Sequence, residues 1–183
     1  MFHSGGMNPK PDMLPVAGSE EGQAGGHRPN VVVAVTGTDL DTEVVTLGCN
    51  LAKVKKSNVY LVYGIEVPRK LPIDAEMPEE TAAASEALER ATHVAEQMHV
   101  KVEPEIVQSR HVGQSLVDEA KAHECALLIV GLPYQVGMGG HFDLGEVADY
   151  ALKNAPCRVW LVRGRPEESA RKMDRPESVG AAR

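Results

Sequence analysis

Between positions 29 and 164 the chain alternates two kinds of apolar pattern. Val31–Val35, bounded by Pro29 and Gly37, is continuously apolar, which predicts a strand buried on both faces. Val44, Leu47, Gly48, Leu51 and Ala52 then recur at three- and four-residue spacing, the period of one helical face. Val59–Ile65 predicts a second strand. Beyond a loop holding Pro68, Pro72 and Pro78, the stripe Ala84, Ala87, Leu88, Ala91, Val94, Ala95 and Met98 predicts a long second helix. Val102–Val107 predicts a third strand, and Leu116, Val117 and Ala120 a third helix. Leu127–Val130 predicts a fourth strand. Val147, Ala148, Ala151, Leu152 and Ala155 predict a fourth helix, and Arg158–Val162 closes the series as a fifth strand.

Strands alternating with helices build a parallel, doubly wound sheet through right-handed crossovers, an α/β fold. Ligands of such sheets bind beyond the carboxyl ends of the strands. The candidate loops are therefore Thr36–Asp41, Gly64–Pro72, Ser109–Gly113 and Gly131–Gly145. No period of 20–50 residues recurs, which excludes a repeat array. Residues 1–28 and 165–183 carry no sustained apolar period, so a flexible leader and a solvated tail are expected around one domain over 29–164.

Composition narrows the partners. The chain has 183 residues, 43% of them apolar, but only four Tyr, two Phe and one Trp; its core must be built from Val, Leu, Ile and Ala. A net charge of −7 without an unbroken basic cluster argues against nucleic acid. No apolar run reaches the roughly 20 residues that span a bilayer, and the amino terminus lacks a secretory apolar segment. A cytoplasmic protein without direct membrane insertion is expected. Cys49, Cys125 and Cys157 lie far apart in sequence with no CxxC spacing, and read as small hydrophobes.

The stretch GLPYQVGMGGHFDLGE from Gly131 places five glycines after an apolar strand and before a helix, where α/β proteins hold phosphates. Gly137, Gly139 and Gly140 permit positive φ and can form an amide nest. Asp143 and Glu146 have capping-box spacing, so both place anionic groups on the amides a phosphate would use. Tyr134 is a candidate to close the pocket. His111 and His141 sit on different candidate loops without a metal-ligand spacing, and no GxSxG elbow supports covalent catalysis. Glu66, Asp74, Glu76, Glu79, Glu80, Glu86 and Glu89 form an acidic stretch suited to a solvated face or a basic partner.

These residues resemble a known family. VVVAVTGTD, ALLIVGLPY and LGEVADYALKNAPCRVWLVR are similar to the opening, fourth-strand and closing segments of universal stress proteins, over roughly Asn30 to Arg163. The resemblance implies a five-stranded parallel sheet ordered 3-2-1-4-5 in a homodimer, paired here through Val159, Trp160 and Leu161. It also implies that members which bind ATP do so at the ends of the first, second and fourth strands. The corresponding positions are Val35, Thr36, Ile65, Val130, Gly131, Tyr134, Gly137, Gly139, Gly140, Gly145, Glu146 and Val147. Some members work with transporters.

The ATP signature of that family is Gly, two residues, Gly, nine residues, Gly, then Ser or Thr. Here Tyr134 replaces the second glycine, the Gly131-to-Gly145 spacing is one residue longer, Glu146 replaces the Ser or Thr, and Thr36 replaces the usual acidic residue. The expected function is a non-enzymatic, dimeric ligand-sensing or partner-binding module with a degraded nucleotide loop and no cofactor. The alternative is an ATP-binding stress protein, a slow ATPase in one form of that reading.

Overall fold

The computed structural model describes residues 30–132 and 144–164. Its elements are β1 (Asn30–Val35), α1 (Asp41–Lys55), β2 (Val59–Glu66), α2 (Pro78–Gln97), β3 (Val102–Ser109), α3 (Val112–Ala122), β4 (Cys125–Leu132), α4 (Gly145–Asn154) and β5 (Arg158–Arg163). The strands form one parallel sheet in the order β3-β2-β1-β4-β5. The leader and tail expected at the two ends lie outside the described residues, as do Tyr134, Gly137, Gly139, Gly140, His141 and Asp143.

Strand alternation divides the interior in two. Val31, Val33, Leu61, Leu127 and Ile129 face α1 and α2, where Val44, Val45, Leu88 and Ala91 meet them. Val32, Ala34, Val62, Leu128 and Val130 face α3 and α4, against Leu116, Val117, Ala120 and Ala151. The central strand β1 is buried along its whole length, which is why its sequence shows no polar alternation. Each fully buried Val or Leu contributes roughly 1.5–3 kcal/mol of transfer free energy. Gly48 lets α1 lie close: a methyl there would stand 2.8 Å from Cγ2 of Val33.

Two expectations are corrected. Gly131 and Leu132, assigned from sequence to the loop, are the last residues of β4, held by pairing with Val162 and Arg163. Leu152 is half-exposed, because α4 turns Ala148 and Ala151 inward instead. Cys125 and Cys157, 32 residues apart, are brought to 2.9 Å between their sulfurs by the pairing of β4 with β5. Cys49 and Cys125 are buried and Cys157 is half-buried.

The two sheet edges differ. β3 exposes Glu103 and Pro104, a composition that discourages further strand pairing. β5 carries Val159 and Leu161, partly packed on the α3–α4 side, and Trp160, which is 44% exposed. No helix among the described residues is long and apolar enough to cross a membrane.

Candidate functional site

A cavity of about 430 Å³ opens at the carboxyl ends of β1, β2 and β4. Its apolar floor includes Ala34, Val35, Val62 and Val130, and Gly131 and Leu132 continue it along β4. Leu144, Gly145, Glu146 and Val147, at the start of α4, form the far wall. Thr36, Tyr63, Glu66 and Glu146 bring polar groups to it. The parallel topology produces this position: β1 and β4 are neighbours whose following helices leave to opposite faces, so their carboxyl ends part.

Of the residues singled out from the sequence, Val35, Thr36, Val130, Gly131, Gly145, Glu146 and Val147 line this cavity. Ile65 lies apart from it, packed with Val67, Met77 and Ala84 on the α2 side. Strand alternation explains the difference, since its neighbours Gly64 and Glu66 face the cavity instead.

Gly131 has a packing role that spacing does not reveal. A methyl there would meet Leu40 and Val44 at 3.2 Å, so the glycine lets α1 approach β4. Gly64 is tighter still, with Cγ1 of Val112 at 2.3 Å from where a methyl would stand. Gly145 opens α4 at φ +74° with nothing within 4 Å of its missing side chain. There the backbone conformation, rather than space, favours glycine.

The turn after β1 holds a group the sequence reading missed. Asp41 is buried, and its carboxylate accepts from the Gly37 amide at 2.7 Å and from the Thr36 amide at 3.1 and 3.2 Å. The Thr36 hydroxyl donates to it at 3.0 Å. Successive amides converging on one anion are the arrangement a phosphate would seek; here a side chain of the same turn satisfies them.

At the opposite wall, Leu144 precedes α4 and supplies no side-chain cap; the expected capping box pairs Asp143, which lies outside the described residues, with Glu146. The Glu146 carboxylate lies 3.5 Å from Nδ1 of His111, across the gap between α3 and α4, with both groups substantially exposed. Arg110 is also committed. Its guanidinium donates to the carbonyls of Val67, Pro68 and Leu71, pinning the segment after β2.

A parallel 3-2-1-4-5 sheet with a cavity at its carboxyl edge defines an open, doubly wound α/β domain. The family model of the universal stress protein family matches residues 27–163, and the chain belongs to that family. It is 27% identical over 139 residues to a universal stress protein of Methanocaldococcus jannaschii, covering 73% of this chain and 81% of that one. The fold is shared with the universal stress protein from Archaeoglobus fulgidus in complex with dAMP, at TM-score 0.60 and 18% identity, over 73% of this chain and 97% of that one. It is also shared with an Arabidopsis thaliana family protein with AMP bound, at TM-score 0.55 and 17% identity, over 76% and 95% of the two chains.

Proposed function

We propose that this protein is a non-enzymatic, dimeric ligand-sensing module whose cavity accepts an adenine nucleoside or monophosphate and holds MgATP weakly. The observation that carries this reading is the Asp41 carboxylate on the amides of Thr36 and Gly37. Thr36 lines the cavity and Asp41 stands behind it, so a triphosphate reaching this turn finds its amides already taken by an anion of the protein itself. Glu146 repeats the effect in the first turn of α4, where the helix dipole favours negative charge. The apolar floor of Ala34, Val35 and Val130 suits a planar ring more than a phosphate chain. The dAMP and AMP held by proteins of this fold support the adenine class.

The dimer forms through β5, whose apolar edge contrasts with the Glu103–Pro104 edge of β3. The output of such a module is a regulated partner, a transporter among the candidates, with the acidic stretch Glu76, Glu79 and Glu80 available to a basic surface. Mass spectrometry of gently purified protein, followed by calorimetry on the nucleotide-free chain, tests the site. AMP should bind more tightly than MgATP, whose Kd should be about a millimolar or weaker, equivalent to about 4 kcal/mol. Micromolar MgATP binding would overturn this reading in favour of an ATP-binding stress protein.

A further inference from the structure

At the amino end of the sheet, away from the cavity, three potential metal ligands meet. Glu105 comes from β3, Glu119 from the last turns of α3, and His123 from the residue that ends that helix. One ligand atom from each lies within 4.8 Å of the other two. Nε2 of His123 is 3.1 Å from Oε2 of Glu105 and 3.6 Å from Oε2 of Glu119. Glu119 and His123 are four residues apart, one helical turn, so they project to the same side.

The imidazole is held in place. Tyr60 of β2 stacks on it with ring centroids 3.6 Å apart and planes inclined by 18°. The His123 carbonyl accepts from Nδ2 of Asn30 at 2.6 Å. Ring and backbone are thus fixed by two different strands, and Nε2 is left facing the carboxylates. Such support around a ligating histidine is what orients it toward a metal.

Charge and spacing point the same way. The three side chains are only 20–31% exposed, and among the described residues neither carboxylate has a Lys or Arg partner. The two partly desolvated carboxylates share one imidazole, which is hydrogen-bonded to Glu105, and a cation bound between the three would offset their charge. A tetrahedral zinc ion with bonds of about 2.0–2.2 Å sets neighbouring ligand atoms roughly 3.3–3.6 Å apart. The two nitrogen–oxygen distances fall at or near that range, and partial exposure leaves a path for entry and a position for water.

We propose that Glu105, Glu119 and His123 form a divalent-cation site of the nitrogen-and-oxygen class that zinc occupies, separate from the cavity. The test is calorimetric titration of the full chain with zinc chloride, repeated on His123→Ala and on Glu119→Gln. The second variant keeps side-chain size and hydrogen bonding, and so guards against loss of fold. One zinc equivalent should bind to the unaltered chain, vanish in His123→Ala and weaken by at least about 10-fold in Glu119→Gln. Zinc should also raise the Tm of the unaltered chain and leave that of His123→Ala unmoved. Failure of the unaltered chain to bind zinc, or undiminished binding by both variants, would overturn the assignment.

Discussion

The carboxylate of Asp41 sits 2.7 Å from the amide of Gly37 and takes the amide and hydroxyl of Thr36 as well. A single side chain therefore completes the turn that leads from β1 into α1. Asp41→Ala should lower stability by about 1–3 kcal/mol, because it removes the hydrogen bonds that a buried carboxylate accepts from Thr36 and Gly37. Urea denaturation of the two proteins measures this. A difference under about 0.5 kcal/mol would mean that water replaces the carboxylate.

Gly64 and Val112 are coupled through space. Gly64→Ala should destabilise by about 1–3 kcal/mol, since its methyl would overlap Cγ1 of Val112 at 2.3 Å. Val112→Ala removes the obstructing atom. The double variant should therefore be more stable than the sum of the two losses, with a coupling of about 0.5 kcal/mol or more. Strict additivity in denaturant titrations would argue against the contact.

Glu146→Ser should tighten MgATP only partly. The Glu146 carboxylate is 82% exposed, and an exposed charge pair contributes about 0.2–1 kcal/mol. That corresponds to at most about a fivefold change in Kd, while Asp41 still occupies the β1 turn. Calorimetry at fixed ionic strength checks the ratio; a gain of a hundredfold would place the main barrier at Glu146.

Trp160→Arg should convert the dimer proposed through β5 to a monomer without unfolding it. The tryptophan is already 44% exposed on the edge strand, so a long cation there costs the isolated fold little but charges the paired edge. Light scattering at micromolar concentration gives the mass directly. A variant that remains dimeric would move the interface away from β5.

Stability should fall in alkaline solution because of the buried thiols. Burial, then the neighbouring Cys157, pushes the Cys125 thiol far above its ordinary value of 9.0; burial also raises Cys49. Below pH 9 both folded and unfolded chains hold these protons, and the stabilising contribution is intact. As pH rises past 9 the unfolded chain releases them while the folded chain keeps them, so unfolding becomes easier. Denaturation midpoints between pH 7 and 10.5 should show this decline, and Cys125→Ala should reduce it. Cys125 should also resist alkylation at pH 8 until the protein is denatured.

The amino-acid sequence by itself determined the elements and their order. Val31–Val35 has no polar face because β1 is central, and the Ala-rich stripe of α2 repeats at the helical period because only one side of that helix is covered. Alternation of such segments leaves few topologies, and the resemblance at Asn154–Cys157 selected one. Local pattern also located the carboxyl-end loops, because right-handed crossovers bring those ends together.

Only the tertiary structure decided which atoms meet. Side chains alternate across a strand, so a one-residue difference sends Ile65 into the α2 core and Glu66 to the cavity. Asp41 looked like one more polar residue of a turn until the path of β1 and α1 aimed three donors at it. Cys125 met Cys157, and Glu105 met His123, through strand pairing and helix packing across 32 and 18 residues. Contacts of that kind depend on register and crossover geometry, which are properties of the assembled sheet and leave no local trace in the order of residues.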